Sequence, residues 1–232
     1  MRTQADRAEP FAWSLVIPLK PLVRAKSRLA AAAGDLLRPS LALAFAQDTV
    51  AAALAARPVR DVVVVTDDAR AARALAALGA RVVRDEPGGG LNAALAHGAR
   101  TARALRPAAP VAALNADLPA LRPAELTRVL NYARVFPRAF LPDAAEIGTT
   151  LLCAAPGVPL APEFGGASRA RHAASGAVEI PLPDVASVRQ DVDTPEDLAA
   201  ALTLGVGPHT AAAADRALFN RALFRGSAAS PE

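Results

Sequence analysis

The sequence predicts an α/β fold built on a parallel sheet. Three features carry that expectation. Short apolar, partly β-branched runs recur at Trp13–Leu19 (WSLVIPL), Asp61–Thr66 (DVVVVT) and Ala80–Arg84. Helix-patterned segments separate them, and such β-α-β alternation closes through right-handed crossovers into a parallel sheet. An acidic residue, Asp117, follows a further apolar run (PVAAL, 110–114), where open α/β sheets hold their ligands.

Length and composition set the bounds. A chain of 232 residues makes one large α/β domain or two small ones. A hydrophobic fraction of 53% supports a sizeable core, although much of it is Ala. Aromatic residues are only 4%, which argues against base-stacking platforms for single-stranded nucleic acid. The net charge of +4 comes with dispersed Arg and no basic tail, so a small anionic substrate suits the chain better than nucleic acid. The single cysteine, Cys153, excludes an intrachain disulfide, fits a reducing cytoplasm, and reads as a buried small hydrophobe rather than a nucleophile. The first residues, MRTQADRAEPFAW, lack the apolar core of a signal peptide, and no apolar run reaches membrane-spanning length. The expected setting is the cytoplasm, away from membranes.

In chain order, residues 1–12 are polar and read as a flexible N-terminus, followed by the first strand. The strand runs into a loop with four cations, Lys20, Arg24, Lys26 and Arg28, placed to hold a polyphosphate or else simply solvated. A long helix from Arg38-Pro-Ser40 to about Ala56 precedes the second strand. Asp67, Asp68, Asp85 and Glu86 read as loop or cap residues. The next helix, 69–78, is closed by Gly79. After the third strand, Gly88-Gly-Gly90 permits close approach of a ligand to backbone, and Asn92 offers a donor and an acceptor suited to a base edge or a ribose.

Asp117 lies in Asn115-Ala-Asp-Leu-Pro119 and has two readings, a Mg²⁺ ligand or a carboxylate bonded to its own turn. A helix from Pro123 follows. RAFLP (138–142) and TTLLCA (149–154) read as two strands of a hairpin-like insertion, with Thr149 and Thr150 as possible phosphate donors. Phe164-Gly-Gly-Ala-Ser168 enters a basic helix, Arg169-Ala-Arg171-His172. This segment is either an anion cradle or a Ser N-cap on a surface helix, and His172 reads as solvated. Ala177–Leu182 and Ser187–Val192 are the last two expected strands. Thr194, Pro195 and Asp197 form an N-cap, an N1 proline and an N3 acid; capping leaves Asp191 unexplained, and Asp193 serves either the cap or a metal. An Ala-rich helical stretch at about 210–225 precedes the tail.

Taken together, the cationic loop, NADLP, the strand-borne threonine, FGGAS-RARH and QDVDTPEDL resemble the guanylyltransferases of coenzyme F-420 biosynthesis, which act on 2-phospho-L-lactate or phosphoenolpyruvate. NADLP and DVDTPED also occur more widely among nucleotidyltransferases of GT-A-like fold. The resemblance covers roughly residues 13–208 and implies one nucleotidyltransferase domain there, with 209–232 as a C-terminal helix and tail. It implies a three-layer sandwich, a mixed, mostly parallel sheet with helices on both faces. It further implies transfer of GMP from GTP to the acid, release of pyrophosphate, and delivery of the product to a deazaflavin transferase. A homodimer is compatible with it. Residue by residue, Asp117 and Asp191 are the implied Mg²⁺ ligands. Lys20 and Lys26 match basic catalytic positions, and Thr149, Gly165 and Ser168 match the acceptor-phosphate site. Arg24, Gly90 and Asn92 fall where the guanine nucleotide is expected. The chain departs from relatives in having no glycine in Lys20–Leu29, and in carrying Gly166-Ala167 where a Pro-Asp pair is common. Its Ala/Arg-rich composition favours phosphoenolpyruvate as acceptor. Two other readings stay open: a molybdopterin-type nucleotidyltransferase and a non-catalytic nucleotide-binding regulatory module.

Overall fold

The computed structural model describes residues 12–24, 29, 37–86 and 88–216. Among the described residues, seven strands form one mixed sheet in the order β3-β2-β1-β4-β6-β5-β7. Strands β1 (Trp13–Pro18), β2 (Val59–Val65), β3 (Arg81–Val83) and β4 (Val111–Leu114) run parallel. Strand β6 (Thr149–Ala154) is antiparallel to both β4 and β5 (Arg138–Pro142), and β7 (Val178–Glu179) is parallel to β5. The chain lays β2 and β3 on one side of β1, then crosses to place β4 on the other. Such a reversal leaves a crevice at the carboxyl ends of the two strands that flank it.

The helices are α1 (Arg38–Ala55), α2 (Ala69–Ala77), α3 (Leu91–Leu105), α4 (Pro123–Ala133), α5 (Ser168–Ala174), α6 (Ala186–Arg189) and α7 (Pro195–Leu204), followed by helical residues 208–216. Alternation along the strands sorts them into layers. Leu15, Ile17, Val62, Val64 and Leu114 pack with α1, α2 and α4 on one face. Val16, Val63, Val65, Ala113, Phe140 and Leu152 pack with α3 and Phe164 on the other. The result is the expected three-layer sandwich of GT-A-like type. Cys153 is buried on β6, and burial pushes its thiol pKa up, so it packs rather than reacts.

Local signals account for several boundaries. Asp68 caps α2 by accepting from Arg70 N–H and Ala71 N–H, both at 3.0 Å. Gly79, at φ +100°, ends that helix. Thr194 and Asp197 form the expected capping box on α7. Inside α1, the buried Asp48 accepts from His209 N–H at 3.1 Å and Thr210 N–H at 2.7 Å, satisfying two donors at the start of helix 208–216.

Three segments differ from the sequence expectation. Residues 187–192 are not a strand: α6 occupies 186–189, and the buried Val185, Val188 and Val192 follow helical spacing rather than alternation. Of Ala177–Leu182, only Val178 and Glu179 pair with the sheet. The 138–154 hairpin is no insertion, because β6 lies between β4 and β5 as an interior strand.

Helix α3 approaches the sheet closely because residue 98 is glycine. A Cβ there would lie 2.4 Å from Val16 Cγ1 and 2.8 Å from Val65 Cγ2, both held in a packed sheet. We expect Gly98→Ala to destabilise the protein. The gain in helix propensity is about 1 kcal/mol, whereas overpacking costs roughly 1–3 kcal/mol. At 2.4 Å the clash dominates, and thermal melting should show a Tm lowered by several degrees.

Candidate active site

A cavity of about 440 Å³ opens at the crossover edge, where β1 and β4 end. Because β6 is antiparallel, its first residue, Thr149, lies at that same edge. The cavity therefore collects Lys20 from beyond β1, Asp117 from beyond β4, Thr149 from the start of β6, Gly165 and Ser168 from the entry to α5, and Asp191 from beyond α6.

The turn that carries Asp117 is held from below. Thr49, buried in α1, shares its hydroxyl proton between the carbonyls of Phe45, at 2.8 Å, and Ala116, at 3.2 Å, and accepts from Leu118 N–H at 3.0 Å. The Asp117 carbonyl accepts from Val192 N–H at 3.1 Å. That bond joins the Asp117 turn to the Asp191 segment and fixes both on one wall. On the β1 side, Asp68 Oδ2 accepts from Leu22 N–H at 3.0 Å and holds the loop beyond Lys20. Burial alone would raise the Asp68 pKa; its backbone N–H partners and Arg70 outweigh this and hold the carboxyl below its ordinary value.

The cavity is acidic. Asp117, Asp143, Asp191 and Asp193 line it, and Lys20 is the one lysine or arginine among the described lining residues. Asp143 is engaged by Ile147 N–H at 3.0 Å and Gly148 N–H at 2.8 Å. A Cβ at residue 148 would lie 2.3 Å from Asp143 Oδ2, so a side chain there would push the Asp143 carboxylate aside. Asp193 gives its N–H to Asp197, within the α7 cap, while its side chain borders the cavity. Asp117 and Asp191 supply hard oxygen donors of the kind Mg²⁺ takes. Among the described residues no three His, Cys, Asp or Glu side chains form a metal cage. Mg²⁺ fits such a partial donor set, because it commonly binds one or two carboxylates and completes its shell with substrate phosphates and water.

Ser168 is buried at the start of α5 but does not cap it; Ala167 holds the cap position. Gly165 and Gly166 have φ of +99° and +48°, with nothing within 4 Å of a Cβ built on either, so conformation rather than space demands glycine. Asn92 is not on the cavity wall. Its amide accepts from Phe164 N–H at 2.8 Å and donates to Phe164 carbonyl at 3.2 Å, so it braces the glycine loop from α3. Gly90 caps α3 at φ +89°, also off the wall. Arg24 ends the short 3-10 turn Leu22–Arg24, and Lys26 lies outside the described residues.

The arginines after Ser168 are braces. Arg169 pairs with Glu179 at 2.8 Å and Glu146 at 3.0 Å, and Arg171 donates to the carbonyls of Glu163 and Gly165. His172 differs most from expectation. It is fully buried, between Phe140 and Phe164, with Nδ1 at 2.9 Å from Thr149 Oγ1 and Nε2 accepting from Glu163 N–H at 3.0 Å. Thr49, Asp143 and His172 are the contributors that sequence reasoning missed. Thr49 left a local trace, since Gln47-Asp-Thr49 is a polar step inside an otherwise apolar helix, and His172 closes the FGGAS-RARH motif, although its role there was not read.

Comparison with known proteins places this geometry. Residues 44–179 match the MobA-like NTP transferase domain. A protein of Streptomyces coelicolor named phosphoenolpyruvate guanylyltransferase is 74% identical over 206 residues, covering 89% of this chain and 97% of its own. One of the same name from Thermomonospora curvata is 59% identical over 216 residues, covering 93% and 94%. Among solved structures, a nucleotidyl transferase from Methanothermobacter thermautotroptrophicus superposes with a TM-score of 0.60 at 23% identity, covering 83% of this chain and 97% of its own. At that identity the superposition speaks to the fold alone.

Burial of His172, with the charges of Arg138 and Arg171 nearby, lowers its pKa from 6.5 to about 4. The unfolded chain therefore takes up this proton before the native state does. We expect the contribution to be fully present above pH 6.5, to fall as pH drops toward 4, and to flatten below. Its size is about 3 kcal/mol at most. Urea unfolding of the wild type and His172→Asn across this range should show a steeper pH dependence in the wild type.

Proposed function

The chain belongs to the phosphoenolpyruvate guanylyltransferase family of MobA-like NTP transferases, and on that premise we propose that it transfers GMP from GTP to phosphoenolpyruvate, releasing pyrophosphate. The product suits a transferase that loads a deazaflavin, the step it serves in coenzyme F-420 biosynthesis. Convergence of Asp117 and Asp191 with Thr149, Gly165 and Ser168 on one cavity carries this reading.

The chemistry asks little covalent work of the protein. A phosphate monoester is largely dianionic at neutral pH, its second pKa being about 6. One of its oxygens attacks the α-phosphorus of GTP as the bond to the β-phosphate breaks, and pyrophosphate departs with that electron pair. No side-chain nucleophile or base is required. The barrier lies in bringing two anions together and aligning them. Thr149, Gly165 and Ser168 present hydroxyl and backbone donors to the acceptor phosphate. Lys20 sets positive charge at the cavity, and Lys26 is assigned the same task. Arg24 and Gly90 are assigned to the nucleotide side; Asn92, expected there too, instead braces the Phe164 loop and so serves the acceptor side. Asp117 and Asp191 would hold Mg²⁺, which when bound neutralises phosphate charge.

The protein with Mg²⁺, GTP and phosphoenolpyruvate should release pyrophosphate. Asp117→Asn and Asp191→Asn should each cut turnover by about 10²–10³ or more, with unchanged circular dichroism. Wild-type-like turnover by either variant would remove the metal assignment. Release that required CTP and another acceptor would point to molybdopterin-type chemistry, and GTP binding without release to a regulatory module.

A further inference from the structure

Thr149 is assigned above to the acceptor, but a hydroxyl can donate or accept, and nothing in the threonine itself decides which. Its neighbour does. His172 is enclosed by Phe140 and Phe164, with ring centroids 5.8 and 5.1 Å from its own. Its Nε2 faces the Glu163 N–H at 3.0 Å. A backbone N–H only donates, so Nε2 has to accept and carries no proton. In a neutral imidazole the proton then sits on Nδ1, and Nδ1 faces Thr149 Oγ1 at 2.9 Å. The other tautomer, and the doubly protonated ring, would set Nε2–H against the Glu163 N–H. Thr149 therefore accepts from His172 and keeps its own O–H for another partner. The residue is 4% exposed, and its remaining open side is the cavity wall.

We propose that His172 is a positioning residue that fixes the Thr149 hydroxyl as a hydrogen-bond donor into the cavity, so that the site selects an anionic oxygen of the acceptor. The inference rests on the function proposed above for the identity of that acceptor, but not for the direction of the hydrogen bonds. Burial and the charges of Arg138 and Arg171 disfavour the protonated ring and act in the same sense. The chain of bonds runs from the Glu163 backbone through the ring to Thr149. The Glu163–Phe164 segment is itself braced by Asn92 on α3, so the donor is anchored to two separate elements.

Two isosteric variants separate the halves of the ring. Asn at 172 keeps an N–H near the Nδ1 position, whereas Gln keeps an acceptor near Nε2 and lacks the donor to Thr149. We expect His172→Gln to raise KM for phosphoenolpyruvate by about 10- to 100-fold, the worth of a hydrogen bond to a charged group. KM for GTP should change far less, and His172→Asn, which keeps a donor toward Thr149 but loses the acceptor for Glu163 N–H, should lose less than His172→Gln. Thr149→Val should reproduce the Gln effect, and adding His172→Gln to it should cost little more. Equal effects on both KM values, or additivity in the double variant, would overturn the proposal. A long-range proton–nitrogen NMR spectrum of the histidine-labelled wild type tests the hydrogen-bond direction without turnover. His172 should remain the Nδ1–H tautomer between about pH 5.5 and pH 8; an Nε2–H signal would refute it. If phosphoenolpyruvate is not turned over but the tautomer is as stated, the substrate reading fails and the positioning role stands.

Discussion

Strand β6 runs against β4, so the start of one and the end of the other lie at the same edge of the sheet. In an all-parallel sheet the residues that open a strand lie at the far edge from those that close one. The reversal removes that separation. It brings Thr149 to the crevice where β1 and β4 already deliver Lys20 and Asp117. The pairing register continues past the strand, with Asn115 N–H bonded to Thr150 carbonyl at 2.9 Å, so the two segments are tied at the point where the cavity begins. Packing of this interior strand on both faces, through Leu151 and Cys153 on one side and Leu152 and Ala154 on the other, makes that placement rigid.

Two groups of cavity-lining residues are held by different means. One is a row of carboxylates held by backbone clasps, with Thr49 under the Asp117 turn and Val192 N–H on the Asp117 carbonyl. The other is a set of donors on a glycine-bearing loop, braced by Asn92, Arg171 and His172. An acidic wall calls for a cation and a donor wall calls for an anion. A phosphate-transfer site needs both. Arg169 and Arg171, on the helix that follows the glycine loop, are held by glutamates and carbonyls.

What the sequence made legible follows from locality. The apolar strands β1 and β2, the proline at the first turn of α4 and the capping box at Thr194–Asp197 are set by residues close in the chain, and each appears where expected. The convergence of Asp117 and Asp191 was readable only through motif order, since nothing within either motif states that Val192 bonds to Asp117. Residues 187–192 misled because a short run with two valines satisfies alternation and helical spacing about equally. His172 misled for another reason. A histidine among arginines on a short helix reads as exposed, and only tertiary packing by Phe140 and Phe164 buries it. Asn92 has the donor and acceptor a nucleotide would want, yet both are satisfied by the Phe164 backbone seventy-two positions away.

Consecutive residues on α1 face different tasks: Asp48 gathers the first turn of helix 208–216, while Thr49 grips the turn that bears Asp117. Deleting the chain from residue 208 onward would strip Asp48 of both backbone donors, directly beside that grip. The far end of the polypeptide is thus wired, one residue removed, to the most sensitive turn in the molecule. Anyone trimming this protein for crystallisation, or splicing a reporter into its last third, should treat that helix as part of the engine rather than as trailing chain.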